Sequence, residues 1–326
     1  MFEQFYGLTS LPFLIMPDAR FYFDSSGHSR ALAHLTYGLA QGDGFIVITG
    51  EIGAGKTTLI DHLLGQLDPD NYVAVRIATT QLSPTALLRM ITAAFDIPSR
   101  PGDKAGMLRQ LCEFFERKRE SGTRILLIID EAQNLPLPTL EELRMLSNLA
   151  MDSRTPLQTC LVGQPQFRNI IMSAKAEQLR QRICTSYHLD VLREDEIGAY
   201  VRHRLCVSSW KGDPSFDEDA FPALYAHTSG VPRRINSLCS RLLLHAFLNE
   251  SHSIRAADGT EVADEWQAEH RTPGAGVVSP VAISDPKRNR LAKITGRLDS
   301  FEVRLAGQED RLNRALKIME HCLHVR

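Results

Sequence analysis

Along the first 195 positions, apolar residues come in short continuous runs separated by stretches of helical spacing. The runs are Phe45–Thr49, Val73–Ala78, Ile125–Ile129, Gln158–Val162 and Tyr187–Val191. Between them lie segments such as Lys56–Gln66 and Leu140–Ala150, where apolar residues recur every three or four positions. A strand that is apolar throughout is buried on both faces. The pattern over 1–195 therefore predicts an α/β domain, a parallel five-stranded sheet with helices on both faces. Past position 195 the spacing becomes helical only, in Glu196–Cys206 and Pro232–Asn249, and Gly230 with Pro232 marks the second start. An all-helical lid is expected over 196–266. Residues 267–286, QAEHRTPGAGVVSPVAISDP, are rich in Pro, Gly, Ser and Ala and read as a linker.

The last segment, 287–326, has its own period. Leu291, Leu298, Leu305, Leu312 and Met319 fall seven apart, and Ile294, Phe301, Gln308, Ala315 and Cys322 follow each by three. This a/d spacing predicts a C-terminal coiled-coil helix, with an amphipathic helix docked on the body as the alternative. The segment carries ten basic and five acidic residues, for which a solvated coiled-coil face is a sufficient reason.

Composition narrows the function classes. The chain has 326 residues, 37 basic and 39 acidic, for a net charge of −2. That balance argues against a general nucleic-acid or membrane-surface binder and leaves only local patches open. The sequence has no 18-residue apolar run to cross a membrane, and its start, MFEQFYGLTSLPF, lacks the basic and apolar regions of a secretory signal. The cysteines at 112, 160, 184, 206, 239 and 322 form no CxxC pair, which excludes a zinc ribbon and fits reduced thiols in a cytoplasmic protein.

The chemistry concentrates in two places. Residues 50–57, GEIGAGKT, match GxxxxGK[ST] between a strand and a helix. Gly50, Gly53 and Gly55 let the backbone wrap a phosphate, so Gly50, Glu51, Ile52, Gly53, Ala54, Gly55, Lys56, Thr57 and Thr58 are the expected nucleotide contacts. Lys56 reaches the β- and γ-phosphates, and the Thr57 hydroxyl is placed to hold Mg²⁺. The second place is Ile125–Glu131, ILLIIDE, an apolar strand ending in two carboxylates at the edge where α/β sheets bind ligands. Adjacent strand residues point to opposite sides, so the two take different roles. Asp130 is expected to hold Mg²⁺ through water, and Glu131 to orient and deprotonate the attacking water.

With these motifs in place, a wider set of segments carries a resemblance. They are FYGL (5–8), PF (12–13), PDARFYF (17–23), GDGFIVITGEIGAGKTTL (42–59), IIDEAQNLP (128–136), LEELRMLSNL (140–149), LVGQPQF (161–167), LRQRI (179–183) and SGVPRRINSLCSRLLL (229–244). Over residues 1 to about 250 the chain resembles the P-loop NTPases of the AAA+ class, and within them the ExeA-type secretion ATPases. The nearest likeness is to the secretion ATPase encoded with exosortase/PEP-CTERM and exopolysaccharide loci of bacteria. The resemblance implies an oligomer that hydrolyses ATP with Mg²⁺ at its subunit interfaces. It assigns Gln164 to the sensor that reads the γ-phosphate. It assigns Arg182, with Arg180 as second candidate, to the finger supplied to a neighbouring subunit. Arg233, with Arg234 as alternative, falls at the sensor that contacts nucleotide from the lid. Tyr6, Gly7 and Leu8 are placed beside the adenine, against the plainer reading of an aromatic clasp for the N-terminal arm.

Members of this family often continue into a transmembrane helix and a peptidoglycan-binding domain, whereas here a linker and heptad segment follow. The implied role is a cytoplasmic ATPase, recruited to the inner face of the inner membrane by an envelope or secretion-machinery protein and serving exopolysaccharide export or PEP-CTERM sorting. The alternative is a DNA-associated AAA+ regulator of the transposition type, which the near-neutral charge disfavours. A nucleotide-binding scaffold without turnover is disfavoured by the intact Lys56, Thr57, Asp130 and Glu131.

Overall fold

In a computed structural model, which describes residues 2–42, 44–78, 81–98, 103–152 and 157–270, the buried runs form five seven-residue strands. These are β1 (Gly44–Gly50), β2 (Tyr72–Ala78), β3 (Arg124–Asp130), β4 (Leu157–Gly163) and β5 (Ile183–Leu189). Helices α1 (Phe2–Phe5) and α2 (Ser26–Gln41) precede β1, and α3 (Lys56–Gln66) follows it. Helices α4 (Pro84–Ala94) and α5 (Lys104–Glu120) join β2 to β3, α6 (Leu137–Asp152) joins β3 to β4, and α7 (Gln166–Met172) with α8 (Glu177–Arg180) lead into β5. The region expected to be a lid follows, with α9 (Ile197–Val207), α10 (Ala220–Thr228), α11 (Pro232–Leu248) and α12 (Ala256–His270).

All strand pairs in the large sheet are parallel, in the order β2-β3-β4-β1-β5. The expected five-stranded parallel sheet is present. Alternate residues of one strand supply its two faces, as the strand period requires. Phe45 and Val47 join one core cluster with α4–α7, while Ile46 and Ile48 join the other with α2 and α3. Ile125, Leu127 and Ile129 divide from Leu126 and Ile128 in the same way. Helix starts obey local chemistry. Ser25 accepts from the His28 amide to cap α2, and Ser83 caps α4 just before Pro84 at its first turn.

Three details differ from the expectation. The fifth strand spans Ile183–Leu189 rather than Tyr187–Val191. Its first half, Ile-Cys-Thr-Ser, is too polar for a hydrophobic criterion, yet as an edge strand it pairs only with β1 and need not be buried on both faces. The lid is not helical alone: Ser215–Phe216 (β6) and Ser253–Ile254 (β7) form a two-residue parallel pair. In the lid, α9, α11 and α12 share a third core with Tyr6, Leu8 and Phe13 of the N-terminal arm. Residues Met1–Arg271 make up one compact unit. Helix α12 runs to His270, so the start of the expected linker is helical. The rest of the linker and the heptad segment lie outside the described residues. Among those described, no helix is long and apolar enough to cross a membrane.

Candidate functional site

Strand β1 carries the chain to the carboxyl end of the sheet, where Glu51–Gly55 turn and α3 starts at Lys56. The turn needs its glycines. Gly53 and Gly55 have φ of +84° and +101°, where a Cβ is strained. A Cβ on Gly53 would stand 2.6 Å from Arg233 Cβ, and one on Gly55 2.7 Å from His28 Nε2. Glycine here thus permits both the turn and the close approach of lid and α2. No side chain caps α3 at Gly55, which leaves the amides of its first turn for an anion.

Lys56 is buried, and its Nζ donates to Gly50 O at 2.7 Å and Glu51 O at 2.9 Å. Burial weakens its hold on the proton, and the nearby Glu131, Asp130 and Glu51 act against that. Under the loop lies His28, a buried imidazole bonded to Ser25 Oγ at 2.8 Å. Burial pushes its pKa down to about 4, against the opposing pull of Asp24 and Glu196, so it is neutral near pH 7.

At the end of β3 the two carboxylates separate. Glu131 takes the left-handed conformation, φ +54°, and its amide donates to Asp130 Oδ1 at 2.9 Å. Asp130 pairs with Arg76 of the neighbouring strand β2, whose guanidinium also reaches α3. Glu131 turns toward β4. Its Oε2 accepts from Gln133 Nε2 at 2.5 Å and from Gln164 Nε2 at 3.2 Å. Gln133 Oε1 in turn accepts from the Gln164 amide at 2.9 Å. The expected γ-phosphate sensor and the expected base are therefore one hydrogen-bonded unit, with Gln133 as its third member.

Thr57 and Asp130 fit a hard cation. Arg76 Nη2 bonds to Asp130 Oδ2 and stands 3.5 Å from Thr57 Oγ1, so the gap between them already receives a positively charged group. Hydroxyl and carboxylate oxygens suit Mg²⁺. Among the described residues no three or more His, Cys, Asp or Glu side chains gather to hold a metal by themselves. A metal here would take its remaining ligands from phosphate and water.

The opposite wall comes from the arm and the lid. The cleft encloses about 760 Å³ counted out to its open mouth. Gly53, Gly55, Lys56, Thr57, Thr58 and Glu131 line it on one side, and Leu14–Asp18, Arg204 and Arg233 on the other. Arg204 is buried. Its Nε donates to Pro12 O at 2.6 Å and its Nη2 to Leu14 O at 3.4 Å, while the guanidinium lies 4.5 Å over the Phe21 ring. Asn236 Nδ2 also donates to Leu14 O, at 3.4 Å. The arm is held so that Ile15 and Met16, with Ile52 of the loop, stay exposed at the cleft.

Of the two lid arginines, Arg233 lines the cleft, and its amide donates to Gly53 O at 3.2 Å; Arg234 does not line it. Tyr6, Gly7 and Leu8 do not line the cleft. Tyr6 is buried in the lid core with its hydroxyl donating to Ser251 O at 2.9 Å, and Leu8 is buried beside it. The arm packs Tyr6, Leu8 and Phe13 into that core, and Leu14–Met16 line the cleft. Arg180 pairs with Glu177 at 2.6 Å, and the Arg182 carbonyl accepts from the Phe45 amide at 2.9 Å. Neither arginine lines the cleft of its own chain.

Three residues escaped the sequence reading, and each had a signal. Arg76 is a charge inside an otherwise apolar strand, YVAVRIA. Arg204 falls on the buried stripe of α9 with Ile197, Tyr200, Val201 and Leu205. Gln133 lies two positions beyond Glu131, close enough to reach back once Glu131 turns left-handed.

With this geometry in hand, the chain can be set beside known proteins. Residues 39–171 match an AAA domain family. Over 262 residues the chain is 38% identical to general secretion pathway protein A of Aeromonas hydrophila. The match covers 79% of this chain and 47% of that protein, so the chain spans about half of its relative's length. Among solved structures, the fold is shared with the ORC2 protein of Aeropyrum pernix in its ADPNP-ADP complexes, at TM-score 0.57 and 16% identity over 76% of this chain and 72% of that one. It is shared also with Cdc6p of Pyrobaculum aerophilum, at TM-score 0.57 and 17% identity over 77% and 71%. The Thermotoga maritima RuvB branch migration motor follows at TM-score 0.51 and 16% identity over 73% and 68%.

Proposed function

Because the chain carries an AAA+ domain of the ExeA secretion-ATPase type, we propose that it hydrolyses ATP with Mg²⁺ at the interfaces of an oligomer and so drives or regulates a bacterial envelope process. One observation carries the reading. Lys56, Thr57 and Glu131 line one cleft at the carboxyl end of the sheet, Asp130 is linked to Thr57 through Arg76, and Glu131 is already held by two amide donors.

The glycine loop and the first turn of α3 wrap the phosphates, and Lys56 exchanges the Gly50 and Glu51 carbonyls for phosphate oxygens. Thr57 would hold Mg²⁺ through its hydroxyl and Asp130 through water, and the metal would offset phosphate charge. Glu131 takes a proton from the attacking water, while Gln133 and Gln164 fix the direction of its carboxylate. Arg233 meets the nucleotide from the lid, and Ile15, Met16 and Ile52 offer an apolar face to the base. Arg182 or Arg180 of a neighbouring copy supplies positive charge to the transition state. Likeness to a secretion-pathway protein supports the envelope assignment, with exopolysaccharide export or exosortase-linked sorting as the process served. The partners are further copies of the chain and a machinery protein at the inner face of the inner membrane.

Steady-state ATP hydrolysis across a protein dilution series, with and without duplex DNA, tests this. The expected result is specific activity that rises with protein concentration and is indifferent to DNA. Activity that requires DNA and collapses with added salt would replace the secretion reading by the transposition-type regulator.

A further inference from the structure

The guanidinium of Arg76 lies between two elements of the cleft. Nη1 donates to Asp61 Oδ1 at 2.9 Å, while Nη2 bonds to Asp130 Oδ2 and stands 3.5 Å from Thr57 Oγ1. Thr57 and Asp61 are one turn apart on α3, and Asp130 ends β3. Two of these three partners are the residues that fit the metal. We propose that Arg76 is the resident cation of this position and competes with Mg²⁺ for Asp130 and Thr57. This rests on the reading of the cleft as an ATP–Mg²⁺ site.

The physical argument is charge occupancy. The Arg76 side chain is 28% exposed and that of Asp130 10%, so water screens the pair only in part. A divalent cation beside Asp130 would meet a fixed positive charge at close range. Arginine cannot relieve this by losing a proton, so it must move or be repelled. Asp61 provides the means, since Arg76 can keep that ion pair at 2.9 Å while releasing Asp130. Metal entry then breaks one ion pair rather than two. In the absence of metal, Arg76 keeps the carboxylate neutralised beside the phosphate loop.

The test is a Mg²⁺ titration of full-length protein with fluorescently labelled ADP, starting in chelator, read by fluorescence rather than turnover. Wild type is compared with Arg76→Gln and Arg76→Lys. In Arg76→Gln the Mg²⁺ midpoint is expected to fall about tenfold, as removal of one nearby positive charge requires. In Arg76→Lys the charge stays, but a single ammonium cannot span Asp61 and Asp130, and the midpoint is expected in between. The lysine variant also decides the matter if the glutamine variant does not fold. A midpoint unchanged or raised in the folded variants overturns the role of Arg76. Wild-type protein that binds no labelled ADP at any Mg²⁺ concentration overturns the nucleotide reading itself.

Discussion

The two walls of the cleft are built on different terms. The phosphate wall is local: Gly50 through Thr58 is one continuous strand–turn–helix segment, and Glu131, Gln133 and Gln164 sit just past the ends of adjacent strands. The opposite wall is assembled at a distance, for Arg204 Nε reaches Pro12 O across 192 positions of sequence. In the first wall, backbone conformation and adjacent strands set the chemistry. In the second, one buried guanidinium and one amide decide where the apolar arm stands. The first wall should therefore govern turnover, and the second should govern the grip on the base and the stability of the lid.

Glu131→Gln gives the sharpest break between the walls. It removes the proton acceptor and leaves the phosphate loop intact, so turnover should drop by about 10²–10³-fold with ATP still bound. Filter binding beside steady-state hydrolysis checks this, and unchanged turnover would show that Glu131 is not the base.

Arg204→Met addresses the other wall. It leaves Pro12 O without its buried donor and Leu14 O with Asn236 alone, which should cost about 2 kcal/mol in urea unfolding. Turnover at saturating ATP should fall far less than in Glu131→Gln, the loss appearing in KM. An equal fall in kcat would end the division of labour drawn here.

His28 adds a pH signature to the phosphate wall. Its folded-state pKa, about 4, lies below its ordinary value of 6.5, so between these the unfolded chain binds the proton and the folded chain does not. Its stabilising share is complete above pH 6.5 and is lost as pH falls toward 4, as much as about 3 kcal/mol in all. Urea midpoints at pH 7 and pH 5 should separate in wild type and draw together in His28→Gln. A separation that survives the substitution assigns the effect to other groups.

The smallest effect belongs to Tyr6→Phe, which deletes the bond to Ser251 O and should cost about 1 kcal/mol. Nucleotide affinity should not change, because the ring lies in the lid core. A clear loss of affinity with intact stability would return Tyr6 to the adenine.

Much of this was legible before the structure. The phosphate loop, the Asp130–Glu131 pair and four of the five strands stand where contiguous patterns put them, because each is a local conformation with a local cause. The fifth strand was misplaced by four residues at its start because an edge strand needs no continuous apolar run. Arg76, Arg204 and Gln133 were not identified because each acts through a partner on another element or across a turn. Tyr6 and Leu8 are apolar enough for either a base contact or a core, and their place in the core cluster of α9–α12 depends on partners more than 180 positions away.

The sequence by itself determined the alternation of buried strands and helices, the glycine turn between β1 and α3 and the two carboxylates at the end of β3. These depend on steric limits at glycine, on hydrophobic period and on side chains adjacent in the chain. Only the tertiary structure decided that a guanidinium stands between Thr57 and Asp130, that Glu131 leans on Gln133 and Gln164, and that Leu14–Met16 face the cleft in place of Tyr6–Leu8. Those choices turn on which strand lies beside which, and on hydrogen bonds that close only after distant segments have packed.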